Sequence, residues 1–328
     1  MHKGTEEILL DGFSVWRRNK KIAIPYVLSL LVQAALFCLC VLAFAFLFSR
    51  QASGLDLGSV AGDPSRMAQM FSAEFVVSIA VICAGFVLAS ALVSAYFDAG
   101  AIGMALKAVE TGETNLDHMA EYGMRRFPGL FFARLLVTIA TLIPFLLVGG
   151  ALVALVLALG PSVMDTSGIL ENTVQFGIEL GILVATVLSI IFAAAPYFIV
   201  IAGSGAVDGL EKSYKLLKEN RIPYLILWVF GNYVGEYVTG LAVIIGGVVL
   251  SLGILVVPME LHPADPLIFM RDAGQMLVSL LAVGIVAAGI AVLALALIFT
   301  VIVFPLTTVW WAEFYLDRTK TRRYGQNG

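Results

Sequence analysis

One carboxylic acid stands where a carboxylic acid is costly. Glu236 lies in the stretch Gly231-Asn232-Tyr233-Val234-Gly235-Glu236-Tyr237, inside an apolar run over 222–257. An acid at mid-depth in a membrane helix usually faces a cavity or a partner rather than lipid. Asn232 precedes it by four residues and so shares its helix face, Tyr233 and Tyr237 are its neighbours, and Gly231, Gly235 and Gly240 keep the stretch thin. This constellation could carry a proton, a cation or a polar substrate. The structural alternative is a protonated Glu236 hydrogen-bonded to an adjacent helix. No paired-histidine metal motif, nucleophile elbow or phosphate-binding Walker loop accompanies it, and His2, His118 and His262 are scattered over separate loops. The expectation is therefore no catalytic residue, no metal, no cofactor and no enzyme.

The elements that must position Glu236 follow from composition. Of 328 residues, 60% are hydrophobic and 13% charged, against about half and a quarter in a soluble chain. Crossing a hydrocarbon core takes about 20 helical residues. Six segments qualify as spans: 22–48, 75–97, 130–158, 177–202, 222–257 and 276–311. The first is too long for a secretory signal, whose apolar core is about 7–15 residues. Cys38, Cys40 and Cys83 fall inside spans, where they read as small apolar residues rather than a disulfide framework.

Lysine and arginine fix the orientation. Seventeen of the 20 fall in the N-terminal segment, the second-to-third and fourth-to-fifth connections and the tail; the other side has Arg50, Arg66 and Arg271. Basic residues are retained in the cytoplasm, so both termini are expected there. Arg17, Arg18, Lys20, Lys21, Arg125, Arg126, Lys215, Lys218 and Arg221 are the candidate contacts to anionic lipid headgroups on that side. Arg134 and Asp98, near the same boundary, could pair, but an Arg134 snorkelling to the interface is the preferred reading.

A phrase recurs. Ile24-Pro25-Tyr26 and Ile222-Pro223-Tyr224 each follow a basic, asparagine-bearing cluster, and Arg125-Arg126-Phe127-Pro128 is a weaker third copy. Before each prolines' segment lies an amphipathic pattern: Leu9, Phe13 and Trp16; Leu116, Met119, Gly123 and Phe127, with Thr114 and Asp117 as a cap signal; Val207, Leu210, Tyr214 and Leu217. Such helices lie in the headgroup plane, and proline suits the first turn of the span that follows. Trp310, Trp311, Phe314 and Tyr315 read as an aromatic belt at the end of the last span. Gly177 and Gly181, like Gly231 and Gly235, have the spacing for close helix packing within the chain. Gly203-Ser204-Gly205 reads as a bend at the membrane exit, with a phosphate site at the following helix start as the alternative.

The basic-Asn-Ile-Pro-Tyr phrases and the Leu210–Asn220 helix carry a resemblance over most of residues 5–318. The chain resembles a group of prokaryotic six-helix integral membrane proteins of unknown function. It is similar also to the membrane domain joined to some glycerophosphodiester phosphodiesterases. The resemblance implies a prokaryotic inner-membrane protein and brings no catalytic residues with it.

The expected fold is all-α: one polytopic domain over 1–328, with six transmembrane helices as three parallel hairpin repeats (5–107, 108–204, 205–318) and cytoplasmic interfacial helices. The expected function is to organise or sense membrane lipid, or to anchor a partner complex or a second copy of itself, without nucleic acid. The alternative is a transporter subunit that uses Glu236.

Overall fold

The computed structural model describes residues 2–52, 73–159, 167–233, 294, 297–298 and 300–319. Glu236 and Tyr237, and most of the expected spans over 222–257 and 276–311, lie outside the described residues.

Among the described residues the secondary structure is entirely helical. The order is α1 (Thr5–Arg18), a 3-10 turn (Lys20–Ala23), α2 (Ile24–Ala52), α3 (Ala73–Thr111), α4 (Leu116–Leu159) and α5 (Ser167–Phe192). Then come α6 (Ala195–Val200), α7 (Ala206–Glu219), α8 (Arg221–Leu227) and a π-helical turn (Trp228–Tyr233). Residues 300–319 form α9. Among the described residues four stretches are long and apolar enough to cross a membrane: Lys20–Arg50, Ala73–Thr111, Leu116–Ala151 and Asn172–Phe192. They carry the first four expected spans.

The chain divides into two compact units, Ile24–Glu219 and Met1–Ala23 with Asn220–Gly328. In the larger unit α2 packs on α3, α3 on α4 and α4 on α5. The middles of these helices are open: Phe46, Val81 and Leu146 are 68%, 66% and 71% exposed. Burial concentrates instead where α3 ends and α4 begins. Ala95, Ala99, Gly100, Ala101, Met104 and Ala105 are buried, as are Leu130 and Ala133. Small residues permit this. A Cβ on Gly100 would sit 2.6 Å from Met119 Cγ, and one on Gly103 would sit 2.3 Å from Tyr122 Cγ. Gly177 and Gly181 do the same for α5 against Val148 and Phe145 of α4, so this pair serves internal packing as its spacing predicts.

Three expectations need correction here. No corner exists at Pro128: α4 runs unbroken from Leu116 to Leu159 through Pro128 and Pro144. The second amphipathic segment is thus the first part of a long helix, about 66 Å at ~1.5 Å per residue, and not a separate helix. Its paired partner α3 likewise continues past residue 97 to Thr111. The packing of Gly100 and Gly103 against Met119 and Tyr122 is the tertiary force that overrides the break proline usually imposes. The cap lies one residue on, where Asn115 Oδ1 accepts from the His118 amide at 3.1 Å. The fourth span, expected over 177–202, is α5 from Ser167 to Phe192; the chain then breaks, and Pro196 opens the short α6. Ser213 of α7 donates to the Ile191 carbonyl at 2.8 Å and so satisfies one of the last carbonyls of α5.

In the smaller unit α1 lies against α9. Trp310 Nε1 donates to the Leu9 carbonyl at 2.9 Å. The indole passes over Gly12, where a Cβ would meet Trp310 Cδ1 at 2.4 Å. The expected aromatic belt is a packed core instead. Trp311, Phe314 and Tyr315 are all buried. Tyr224, of the second Ile-Pro-Tyr, stands 4.9 Å from Trp311 between ring centroids. Rings that fit each other exclude both water and lipid. The π-helical turn closes on the same helix: Thr307 Oγ1 donates to the Gly231 carbonyl at 3.3 Å.

Candidate functional site

Two helices share an unusual division of faces. α1 and α7 each have 14 residues and each is followed by an asparagine, Asn19 and Asn220. In α1 the buried positions are Ile8 and Gly12; in α7 they are Gly209, Ser213 and Leu216. At ~100° per residue these form one narrow stripe. The apolar stripes expected at the headgroup plane, Leu9, Phe13 and Trp16 and then Val207, Leu210, Tyr214 and Leu217, lie about a quarter to a third of a turn away; Phe13 is 46% exposed and Val207 and Tyr214 68% and 51%, while the other members are half-buried. The charged residues take the third face. Lys212 pairs with Asp208 at 2.6 Å and Lys215 with Glu211 at 2.6 Å, both four residues apart. Hydrogen bonds from Lys212 first, then Ser204, hold the exposed Asp208 carboxyl below its ordinary value. The Glu211 hydrogen bond likewise raises Lys215. Each helix thus has a buried face, a more open apolar stripe and a charged face.

The nine candidate headgroup residues divide between the units. Arg17 and Arg18 close α1, Lys20 and Lys21 follow in the 3-10 turn, and Arg221 opens α8; all are exposed. Arg125, Lys215 and Lys218 are exposed in the larger unit. Arg126 differs: it is partly buried, its guanidinium lies against Gly203, and its Nε has no hydrogen-bond partner. For the intramembrane constellation, Asn232 and Tyr233 belong to the π-helical turn, and Glu236 and Tyr237 fall outside the described residues.

Two polar contacts stand out, and one of them, Asp98 with Arg134, is the pair that the sequence reading ranked below snorkelling. Arg134 Nη2 of α4 meets Asp98 Oδ2 of α3 as an ion pair, so Arg134 is held by a partner rather than snorkelling. Lys3 bridges Asp11 Oδ2 at 2.8 Å and Glu313 Oε1 at 2.7 Å, binding the start of α1 to α9. His2 Nδ1 lies 3.4 Å from Asp317 Oδ2, and Arg318 Nη2 donates to the Lys3 carbonyl at 3.1 Å. Glu313 is buried and its Oε2 lacks a hydrogen-bond partner. Burial pushes its carboxyl up from the ordinary value, against the hydrogen bond and charge of Lys3. Lys3 is itself held above its ordinary value, by Asp11 first and Glu313 second. For the buried acid desolvation wins; for the half-exposed ammonium the two partners win. A contact between positions 3 and 313 has no signature in a local pattern. The one available signal was Glu313 itself, an acid between Trp311 and Phe314.

Among the described residues no group of three or more His, Cys, Asp or Glu is arranged to hold a metal ion. No family model and no solved structure matches the chain. An uncharacterized protein of Archaeoglobus fulgidus is similar to it, 27% identical over 344 aligned residues that cover 100% of both chains.

Proposed function

We propose that the protein is a non-enzymatic integral membrane protein that organises or senses lipid at the basic surface of a prokaryotic inner membrane. The observation that carries this reading is the three-faced design of α1 and α7. A helix that already has its protein face buried has no structural need for a second, open apolar stripe at Phe13 or Tyr214. Beside a bilayer that stripe lies among acyl chains while the charged face meets headgroups and water. The exposed cations at 17, 18, 20, 21, 125, 215, 218 and 221 suit anionic lipids. The resemblance drawn from the sequence phrases to membrane domains of glycerophosphodiester phosphodiesterases suits a lipid role, and the archaeal relative is consistent with a prokaryotic setting.

In this reading the chain has six spans, both termini in the cytoplasm and three hairpin units. The matching lengths of α1 and α7, the asparagine after each and the buried pairs Ile8 and Gly12 and Gly209 and Ser213, 201 residues apart, support the first and third units as copies. The continuous α4 makes the second unit a divergent one. Labels placed at 60, 165 and 265 should all react from the outside of the cell.

The test is the lipid that stays bound after purification in mild detergent. Anionic phospholipid enriched over its share of the host membrane is expected; a retained pool matching the bulk membrane would contradict the reading.

The transporter reading keeps one observation in its favour. Trp228–Tyr233 is π-helical and ends three positions before Glu236 in the sequence, and π turns are frequent at functional sites. A Glu236→Gln variant that abolishes proton- or cation-coupled flux in proteoliposomes, while remaining folded, would select it.

A further inference from the structure

We propose that Arg126 of α4 and the Gly203–Gly205 loop ahead of α7 form a binding site for a phosphate group, either on a phospholipid or free in solution. Arg126 is the one candidate headgroup cation that the fold draws inward. Its Nη1 and Nη2 each lie 2.7 Å from the place a Cβ on residue 203 would occupy. Residue 203 must be glycine twice over, for that space and for its φ of +71. The Nη end of the guanidinium thus lies against the loop, and the loop is shaped to admit it.

Arg126 then lacks what a buried guanidinium needs. Its Nε is buried without an acceptor, and no carboxylate pairs with it among the described residues. Arg134, eight residues further along α4, shows the contrast: its carboxylate partner Asp98 comes from the neighbouring helix. The next residue of the loop, Ser204, accepts from Lys212 Nζ at 2.9 Å. Two cations therefore lie against two consecutive loop residues, Gly203 and Ser204, with one acid beside them, Asp208, which Lys212 also holds at 2.6 Å. The start of the 14-residue α7 adds its own positive end and amide groups. A phosphate would supply Arg126 with the planar, doubly accepting partner that its fork matches. Arg126 also stands two residues before Pro128 and shortly before the uncharged run that begins at 135, which is headgroup depth if α4 crosses the bilayer.

The proposal rests on the lipid reading above only for the source of the phosphate, and the experiment separates the two. The full chain in neutral detergent is titrated with short-chain phosphatidic acid, with diacylglycerol of the same chains and with inorganic phosphate. Helical circular dichroism checks the fold of each variant. Phosphatidic acid is expected to bind at least about tenfold more tightly than diacylglycerol. Arg126→Gln should weaken that binding by about tenfold or more, and Arg126→Lys, which folds with the charge but not the fork, by an intermediate factor. Lys107→Gln, on the end of α3 and paired with Glu110, should leave it unchanged. A phosphatidic acid preference that neither Arg126 variant moves would overturn the site and leave the lipid reading standing. Inorganic phosphate binding that Arg126→Gln removes, without any lipid preference, would keep the site and remove the lipid reading. Binding of neither probe would overturn both.

Discussion

Lys3 satisfies two carboxylates at once, and its removal exposes how unevenly they depend on it. Asp11 is half exposed and can turn to water, whereas Glu313 is 7% exposed in its side chain. Lys3→Met should therefore cost about 1–3 kcal/mol, the order of an unmet buried acceptor, read as a lowered melting temperature in detergent. The pH dependence has a definite sign. The Glu313 carboxyl is raised above its ordinary value by burial, so its contribution is fully present in acid and lost as pH rises through the raised value. Melting temperatures should fall from mild acid toward neutrality in the wild type, and Glu313→Gln should flatten that fall. An unchanged slope in the variant would assign the titration to another group. Gly12 offers a steric counterpart. A methyl at residue 12 meets Trp310 Cδ1 at 2.4 Å, so Gly12→Ala should displace the indole, break its bond to Leu9 and cost about 1–3 kcal/mol. Tryptophan fluorescence should shift to the red with it.

At the scale of elements, periodicity and proline have to be weighed against packing. The apolar spacing of Leu9, Phe13 and Trp16 correctly marked an amphipathic helix, but not the separate face that packs on protein. Ile8 and Gly12 take the protein side, because a close helix contact needs small residues more than greasy ones. Glycine spacing was legible at Gly177 and Gly181 for the same reason. Pro128 misled because local chemistry gives a break, while the α3 contacts that hold α4 straight come from residues 96–103. The consequence is testable. With no corner to maintain, Pro128→Ala should restore a backbone donor without moving the helix, leaving the melting temperature equal or higher. A marked drop would mean that the proline shapes α4 after all. The aromatic cluster was misplaced for a related reason: Trp311 and Phe314 suit a membrane boundary by type, and only the arrival of Tyr224 makes them a core.

Over the whole molecule, composition and run length made readable the all-helical class and the four described helices long and apolar enough to span, since those depend on sums over 20 or more residues rather than on partners. The contact of Lys3 with Glu313 was not, because it joins positions 310 residues apart; Asp98 with Arg134, on consecutive helices, was legible as an alternative to snorkelling but not as the outcome. The account's central claim is that α1 and α7 lie on the membrane with their open stripes in lipid. Nitroxide labels at 13 and 214, compared with labels at 11 and 211 in reconstituted vesicles, test it directly through their accessibility to oxygen and to a water-soluble nickel chelate. Positions 13 and 214 should favour oxygen and be shielded from nickel, while 11 and 211 show the reverse. Equal, water-like accessibility at all four would contradict the account.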